Sequence, residues 1–209
     1  MAAPQGANMM RRTTGPKGRA MKSFVVIAPL LAVAILGACA VPQPAPPYVV
    51  ATLQPTLGNS AAGTVWFTRD GTELRVVGRI SGLTPNRQHG FHIHQKGDCS
   101  SGDGMSAGGH FNPTSQPHGA PAAAHHAGDL PALTADAAGN ASFNILTTGS
   151  VLTGGATDVA GKALIVHADP DDYSTQPTGN SGARIACGVI SQVASRDDTG
   201  RDVPMSRNP

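Results

Sequence analysis

The sequence predicts an all-β protein, a Greek-key β-sandwich or flattened barrel carrying two long loops, and three observations predict it. Glycine (26 residues) and proline (17) make up about a fifth of the 209 residues, while aromatic residues are only 4%; that fits short strands joined by turns and argues against a helical bundle or coiled coil. Short runs of β-forming residues recur between about Asn59 and Ala194. No segment between those runs sustains an apolar stripe at the 3.6-residue period of a helix.

Taken in order, Gly63–Arg69 and Thr72–Ile80 flank Asp70-Gly71 and read as a hairpin, because Asp-Gly between β-rich runs supplies the positive φ of a tight turn. Further strands are expected at Gly90–His94, Ala141–Thr147, Lys162–His167 and Arg184–Ser191. The two loops, about 95–129 and 168–183, are longer than a compact domain keeps without a purpose, so something other than an apolar core must hold them. The tail 196–209 has nothing apolar enough to pack and is expected to be disordered.

The chain ahead of the domain has a different character. Met21-Lys22 is followed by a 16-residue apolar run, Ser23–Ala38. That is short for a membrane span and suits the core of an export signal. Residues 1–38 are therefore expected to be a signal region, with Met21 the alternative start and residues 1–20 then upstream sequence. Leu36-Gly37-Ala38-Cys39 resembles the bacterial lipobox, which implies that Cys39 carries lipid and becomes the mature N-terminus. Residues 39–58 are expected to form the lipidated end and a tether, since the proline-rich Val41–Pro47 can bury nothing. The domain proper is placed at 59–195.

Charge narrows the partners. The formal net charge of +2 comes from Arg11, Arg12, Lys17, Arg19 and Lys22; from residue 39 onward 10 Lys+Arg face 13 Asp+Glu. A basic nucleic-acid surface is thereby excluded. Membrane contact is expected only through the anchor, in an exported, periplasmic protein. Monomer and homodimer both stay open.

All eight histidines lie between His89 and His167. His92-Ile93-His94 is the sharpest motif: on a strand, i and i+2 share a face, so both imidazoles reach one ion while Phe91 and Ile93 pack on the other side. His167 ends the apolar run Ala163–His167, and the first loop offers His110, His118, His126 and Asp129. Three imidazoles with a carboxylate make a closed zinc set, and a nitrogen-only set suits copper. His89, three residues before His92, faces the other way and reads as structural.

These stretches resemble the copper–zinc superoxide dismutases, in their exported bacterial branch. The matching motifs are His89–His94, Gly97-Asp98-Cys99, Ser106–Pro113, His126–Leu130, Ala163–His167 and Gly179–Ile190. The resemblance implies that superoxide is converted to oxygen and hydrogen peroxide by copper cycling between Cu(II) and Cu(I), with zinc in support. It makes His92, His94, His110 and His167 copper ligands and His110, His118, His126 and Asp129 zinc ligands, with His110 as the bridge. His126 satisfies the family's His-x-Gly-Asp pattern, and its neighbour His125 is the alternative. Asp171 looks like the carboxylate that binds a ligand of each metal, with Asp172 beside it as the alternative. Arg184 looks like the guanidinium that attracts the anion, and Cys99 and Cys187 look like a disulfide. A surface-held metal buffer on the same scaffold is the competing reading; it would need the ligands but not Arg184.

Overall fold

The computed structural model describes residues 48–152, 154–196 and 202–204. The signal region, Cys39 and the proline-rich segment lie outside the described residues. Among the described residues ten strands and one 3-10 turn are seen: β1 Tyr48–Pro55, β2 Ala62–Asp70, β3 Glu73–Ser81, β4 Gln88–His89, β5 Phe91–His94, the turn Met105–Ala107, β6 Leu133–Thr134, β7 Ala141–Thr147, β8 Ala163–His167, β9 Arg184–Arg196 and β10 Asp202–Pro204. Among the described residues no helix is long and apolar enough to cross a membrane.

The hairpin forms as the alternation demands. In β3, Leu74, Val76 and Ile80 are buried while Val77 and Arg79 face solvent. Asp70 pairs with Glu73, so the two loop residues are Gly71-Thr72 and not Asp70-Gly71. Gly71 takes the positive φ of 62°, at the first loop position.

The domain begins earlier than the sequence pattern alone suggests. β1 alternates Val49, Ala51 and Leu53 into the core and pairs with β2 on one side and β9 on the other. Residues 48–55 are thus a central strand and no part of a tether; the prolines just before it mask a period-two pattern that the neighbouring strands select. The tail expectation is corrected for its described residues, Arg196 and Asp202–Pro204; the rest of 196–209 lies outside them. β9 runs on to Arg196, and the backbone of Asp202–Pro204 pairs with it, because strand pairing needs main-chain groups and no apolar side chain.

The strands follow the order β5-β8-β9-β1-β2-β3-β7, every pairing antiparallel, with β10 also on β9 and β4-β6 a separate pair. The chain crosses between the ends of that path twice, from β3 to β5 and from β7 to β8, which is the Greek-key connection. The inner face carries one core cluster, including Leu53, Phe67, Val76, Phe91, Ile93, Leu164, Val166 and Ile190. Phe91 and Phe143 meet edge to face at 5.3 Å between ring centroids. At the β5-β8-β9 end the outer face is buried too, under the first loop, and the histidines lie there.

Candidate metal centre

Sheet register assembles half of the site. His92 pairs with Ile165 and His94 with Ala163. Phe91, Ile93, Leu164 and Val166 fill the inner core, so His92, His94, Ala163, Ile165 and His167 share the outer face. Ala163 and Ile165 form a second small cluster there with Ala107 and the Cys187 side chain.

Arg184 reaches this face by a bulge. Strict alternation along β9 would set it with the core residues Ala186 and Ile190. The register slips at the end of β8, where Val166 pairs with Ala186 but His167 with Arg184. Ile185 joins the core and Arg184 turns outward beside His167. Its Nη1 and Nη2 donate to the carbonyls of Gly104 and Gly108, both at 2.7 Å. Five N–H donors on the guanidinium leave some free for an anion.

The first loop supplies the other half, held against the otherwise open edge of β5. Phe111 N–H donates to the Ile93 carbonyl and Ile93 N–H to that of Gly128, both at 2.8 Å, and single bridges join His94 to His110 and His92 to Asp129. His118 and His126 come from the far parts of the same loop. Cys99 is disulfide-bonded to Cys187, with 5.8 Å between Cα atoms, and ties the loop to β9 three residues from Arg184.

Two groups result: His92, His94, His110 and His167, and His110, His118, His126 and Asp129, all buried. Within each, one donor atom per residue lies within 4.8 Å of the others. His110 alone is in both. In the first group every ring has one nitrogen committed. His92 Nε2 donates to Asp171 Oδ2 at 2.6 Å, His94 Nδ1 to the Gly108 carbonyl at 2.8 Å, His167 Nδ1 to the Gly182 carbonyl at 3.2 Å, and His110 Nδ1 to Asp129 Oδ1 at 2.8 Å. The remaining nitrogens, His92 Nδ1 and Nε2 of His94, His110 and His167, are buried with no hydrogen-bond partner among the described residues. Buried polar atoms without partners are costly, and four converging lone pairs fit a cation that prefers imidazole.

Protonation agrees with that fit. Burial pushes His92 down to about 4, His94 to about 2 and His167 to about 3, and the Arg184 charge adds to the fall of the last two. All three are neutral at pH 7, the form that ligates metal.

In the second group the Asp129 carboxylate lies 2.8 Å from His110 Nδ1, 3.0 Å from His118 Nδ1 and 3.2 Å from His126 Nδ1. The His118 contact is out of line for a hydrogen bond, so the two atoms sit side by side as ligands of one ion do. Donors at tetrahedral positions about 2.0 Å from zinc would lie about 3.3 Å apart. Burial works to raise the Asp129 carboxyl, but the rings of His110 and His118 outweigh it and hold it well below the usual range. Burial likewise works to lower His118, yet Asp129 and Asp171 on either side of its ring push it up to about 9. That site favours a cation.

Asp171 spans both groups, accepting from His92 Nε2 and from His118 Nε2 (2.9 Å). Asp172 faces outward instead and accepts from Ser174 and Thr175 in a turn. His125 is only partly buried and donates to the Ala123 carbonyl, leaving His126 as the ring at Asp129. His89 is fully buried, its Nδ1 donating to the His167 carbonyl at 2.8 Å. Sequence reasoning missed Gly179. A Cβ there would lie 1.9 Å from Asp171 Oδ1 and 2.5 Å from His118 Nε2, so only glycine lets the backbone pass over that bond. The signal available was its place next to Asn180 in a turn-rich stretch, which points to a turn and not to a close approach.

A Greek-key β-barrel with two adjoining sets of metal-ligating side chains that share one imidazole defines the class of protein. The model of the copper/zinc superoxide dismutase family (SODC) matches residues 61–190, and the chain belongs to that family. Among solved structures it is similar to a SOD-like protein from Bacillus subtilis, at 38% identity over 68% of this chain and 97% of that one, TM-score 0.61. A double mutant of that protein, with two histidines introduced, gives 39% identity over 68% and 96% of the two chains and a TM-score of 0.62. The clock protein EA4 is similar at 36% identity over 70% of this chain and 94% of that one, TM-score 0.63.

Proposed function

We propose that this protein is a superoxide dismutase, taking two superoxide anions to oxygen and hydrogen peroxide. The observation that carries the reading is the convergence of four buried, unpartnered ring nitrogens beside a guanidinium that the bulge in β9 turns toward them. Copper would be held by His92 Nδ1 and by Nε2 of His94, His110 and His167. Zinc would be held by Nδ1 of His110, His118 and His126 and by the Asp129 carboxylate. Bound copper supplies the one-electron redox chemistry of the reaction, and zinc supplies a fixed positive charge.

The remaining work belongs to side chains of this chain. Arg184 attracts the anion and orients it with the N–H groups that Gly104 and Gly108 leave free; a fixed cation at the mouth raises the encounter rate of a small anion. The disulfide and the two carbonyl contacts hold the same loop and keep the guanidinium in place. His110 would serve both groups, with Nε2 toward the first and Nδ1 toward the second, and Nε2 is the atom that would hold a proton beside the substrate for the developing peroxide. Asp171 keeps the His92 and His118 rings oriented.

The competing reading, a metal buffer, is favoured by one finding: the Bacillus subtilis neighbour is described as SOD-like. Dismutation by the chain loaded with copper and zinc, compared with zinc alone, separates the two. A fast copper-dependent rate approaching about 10⁹ M⁻¹s⁻¹ supports the enzyme; stoichiometric copper binding without turnover supports the buffer. Export and periplasmic anchoring through Cys39 are part of the same proposal. They accord with the disulfide, which persists in oxidising compartments.

A further inference from the structure

The second loop makes one more contact to the first, and neither the family resemblance nor the ligand sets account for it. The Gln176 carboxamide lies against the main chain of His118, 58 residues away. Its Oε1 accepts from the His118 N–H at 2.9 Å, and its Nε2 donates to the His118 carbonyl at 2.8 Å. The orientation of the amide is settled by the partner, since an N–H must meet oxygen and a carbonyl must meet N–H. The pair copies one rung of an antiparallel sheet, with a side chain in place of one strand.

Gln176 is itself carefully presented. Asp172 Oδ1 accepts from the Ser174 and Thr175 N–H groups at 2.9 and 2.8 Å, and Oδ2 accepts from Thr175 Oγ1 at 2.6 Å, which fixes the turn just before it. On the first loop, His118 belongs to neither a strand nor the 3-10 turn. Its ring meets Asp171 on one side and Asp129 on the other, and Asp129 Oδ2 also accepts from the following Gly119 N–H at 3.2 Å, but none of these contacts touches the His118 N–H or carbonyl. The Gln176 amide sits on the part they leave untouched. Two adjacent acids thus act on different parts of one ligand. Asp171 holds the His118 ring, and Asp172 shapes the turn that aims Gln176 at the His118 backbone.

We propose that Gln176 is a positioning residue for the second metal group. It fixes the His118 main chain so that Nδ1 is already in place before an ion arrives. This rests on the zinc assignment proposed above. Groups that hold a metal ligand in place are worth roughly 10–100-fold in metal affinity. The lower end is expected here, because Gln176 is exposed and water can replace its bonds, though water cannot hold a ligand still.

The test uses the full-length metal-free protein and titrates Zn²⁺ against a chromophoric chelator, with Co²⁺ as a visible probe of the same group. For Gln176→Ala the expected result is a loss of about tenfold in Zn²⁺ affinity, shifted Co²⁺ bands, and unchanged Cu²⁺ affinity at the strand-borne histidines. Gln116→Ala, at a loop glutamine whose side chain donates to the Thr114 carbonyl and whose bonds to Asn112 are made by its main chain, should change none of these. Unchanged zinc affinity and cobalt bands in Gln176→Ala overturn the proposal, as does an equal loss for zinc and copper, which would mark a general structural role. If the wild-type chain takes up no zinc, the zinc assignment fails instead. Should Gln176→Ala not fold, Gln176→Glu keeps the acceptor and loses the donor; an intermediate loss of zinc affinity upholds the positioning role, and no loss removes it.

Discussion

The two halves of the metal centre are built by different means. His92, His94 and His167 stand on β5 and β8, where register alone places their rings on one face. His110, His118, His126 and Asp129 stand on a loop, which carries no such ladder and is tied down from outside by bridges to β5, a disulfide, and side chains of the second loop. Ligands on strands inherit their geometry from the sheet, while ligands on a loop need a dedicated contact for each ring. Substitutions away from the ligands should therefore hurt the loop half more than the strand half.

The largest effect is expected where the halves share an atom set. His110→Ala should remove copper-dependent turnover and impair uptake of both metals, whereas His94→Ala should remove turnover and spare zinc. Metal analysis of the two purified variants checks this, and equal zinc loss in both would show that the halves are not separable. Next comes the covalent tie. Cys99→Ser opens a link across 88 residues, which the chain-entropy estimate values at up to about 4–5 kcal/mol; urea unfolding of the oxidised protein and the variant measures it.

Gly179→Ala probes the strap over the Asp171–His118 bond. The methyl group has no space and the backbone there holds φ at 67°, so a cost of about 1–3 kcal/mol is expected, together with weakened zinc uptake. Asp171→Asn sharpens the comparison directly because Asp171 touches one histidine of each half. Zinc affinity should fall about 10–100-fold, and copper affinity less, since β5 still holds His92; a competition titration for each metal decides. The mildest change is Arg184→Ala. Metal content should stay the same, while the dismutation rate falls by about tenfold and loses much of its dependence on ionic strength. An unchanged rate would remove the steering role.

Much of this was legible in the residues. The His-x-His spacing with Phe91 and Ile93 between and before it predicts one ion-facing and one core-facing side, and that is how β5 is buried. The strand at Ala141–Thr147 stands where its alternation predicts. β1 was illegible because prolines precede it and its meaning depends on β2 and β9, which flank it in space but not in sequence. β4 and β6 are two residues each, too short for any period to show.

By itself the sequence determined what depends on residue type and on near neighbours: short alternating strands, a hairpin turning at Gly71, an excess of metal-ligating side chains, and the spacing that puts two of them on one face. Only the tertiary structure decided which of Asp171 and Asp172 turns inward, that His126 and not His125 meets Asp129, and that a bulge carries Arg184 from the core side to the side of His167. The reason is range. Alternation and turn chemistry act over a few residues, but a bulge and a loop-to-loop contact are chosen by partners tens of residues away, whose positions exist only after the sheet has formed.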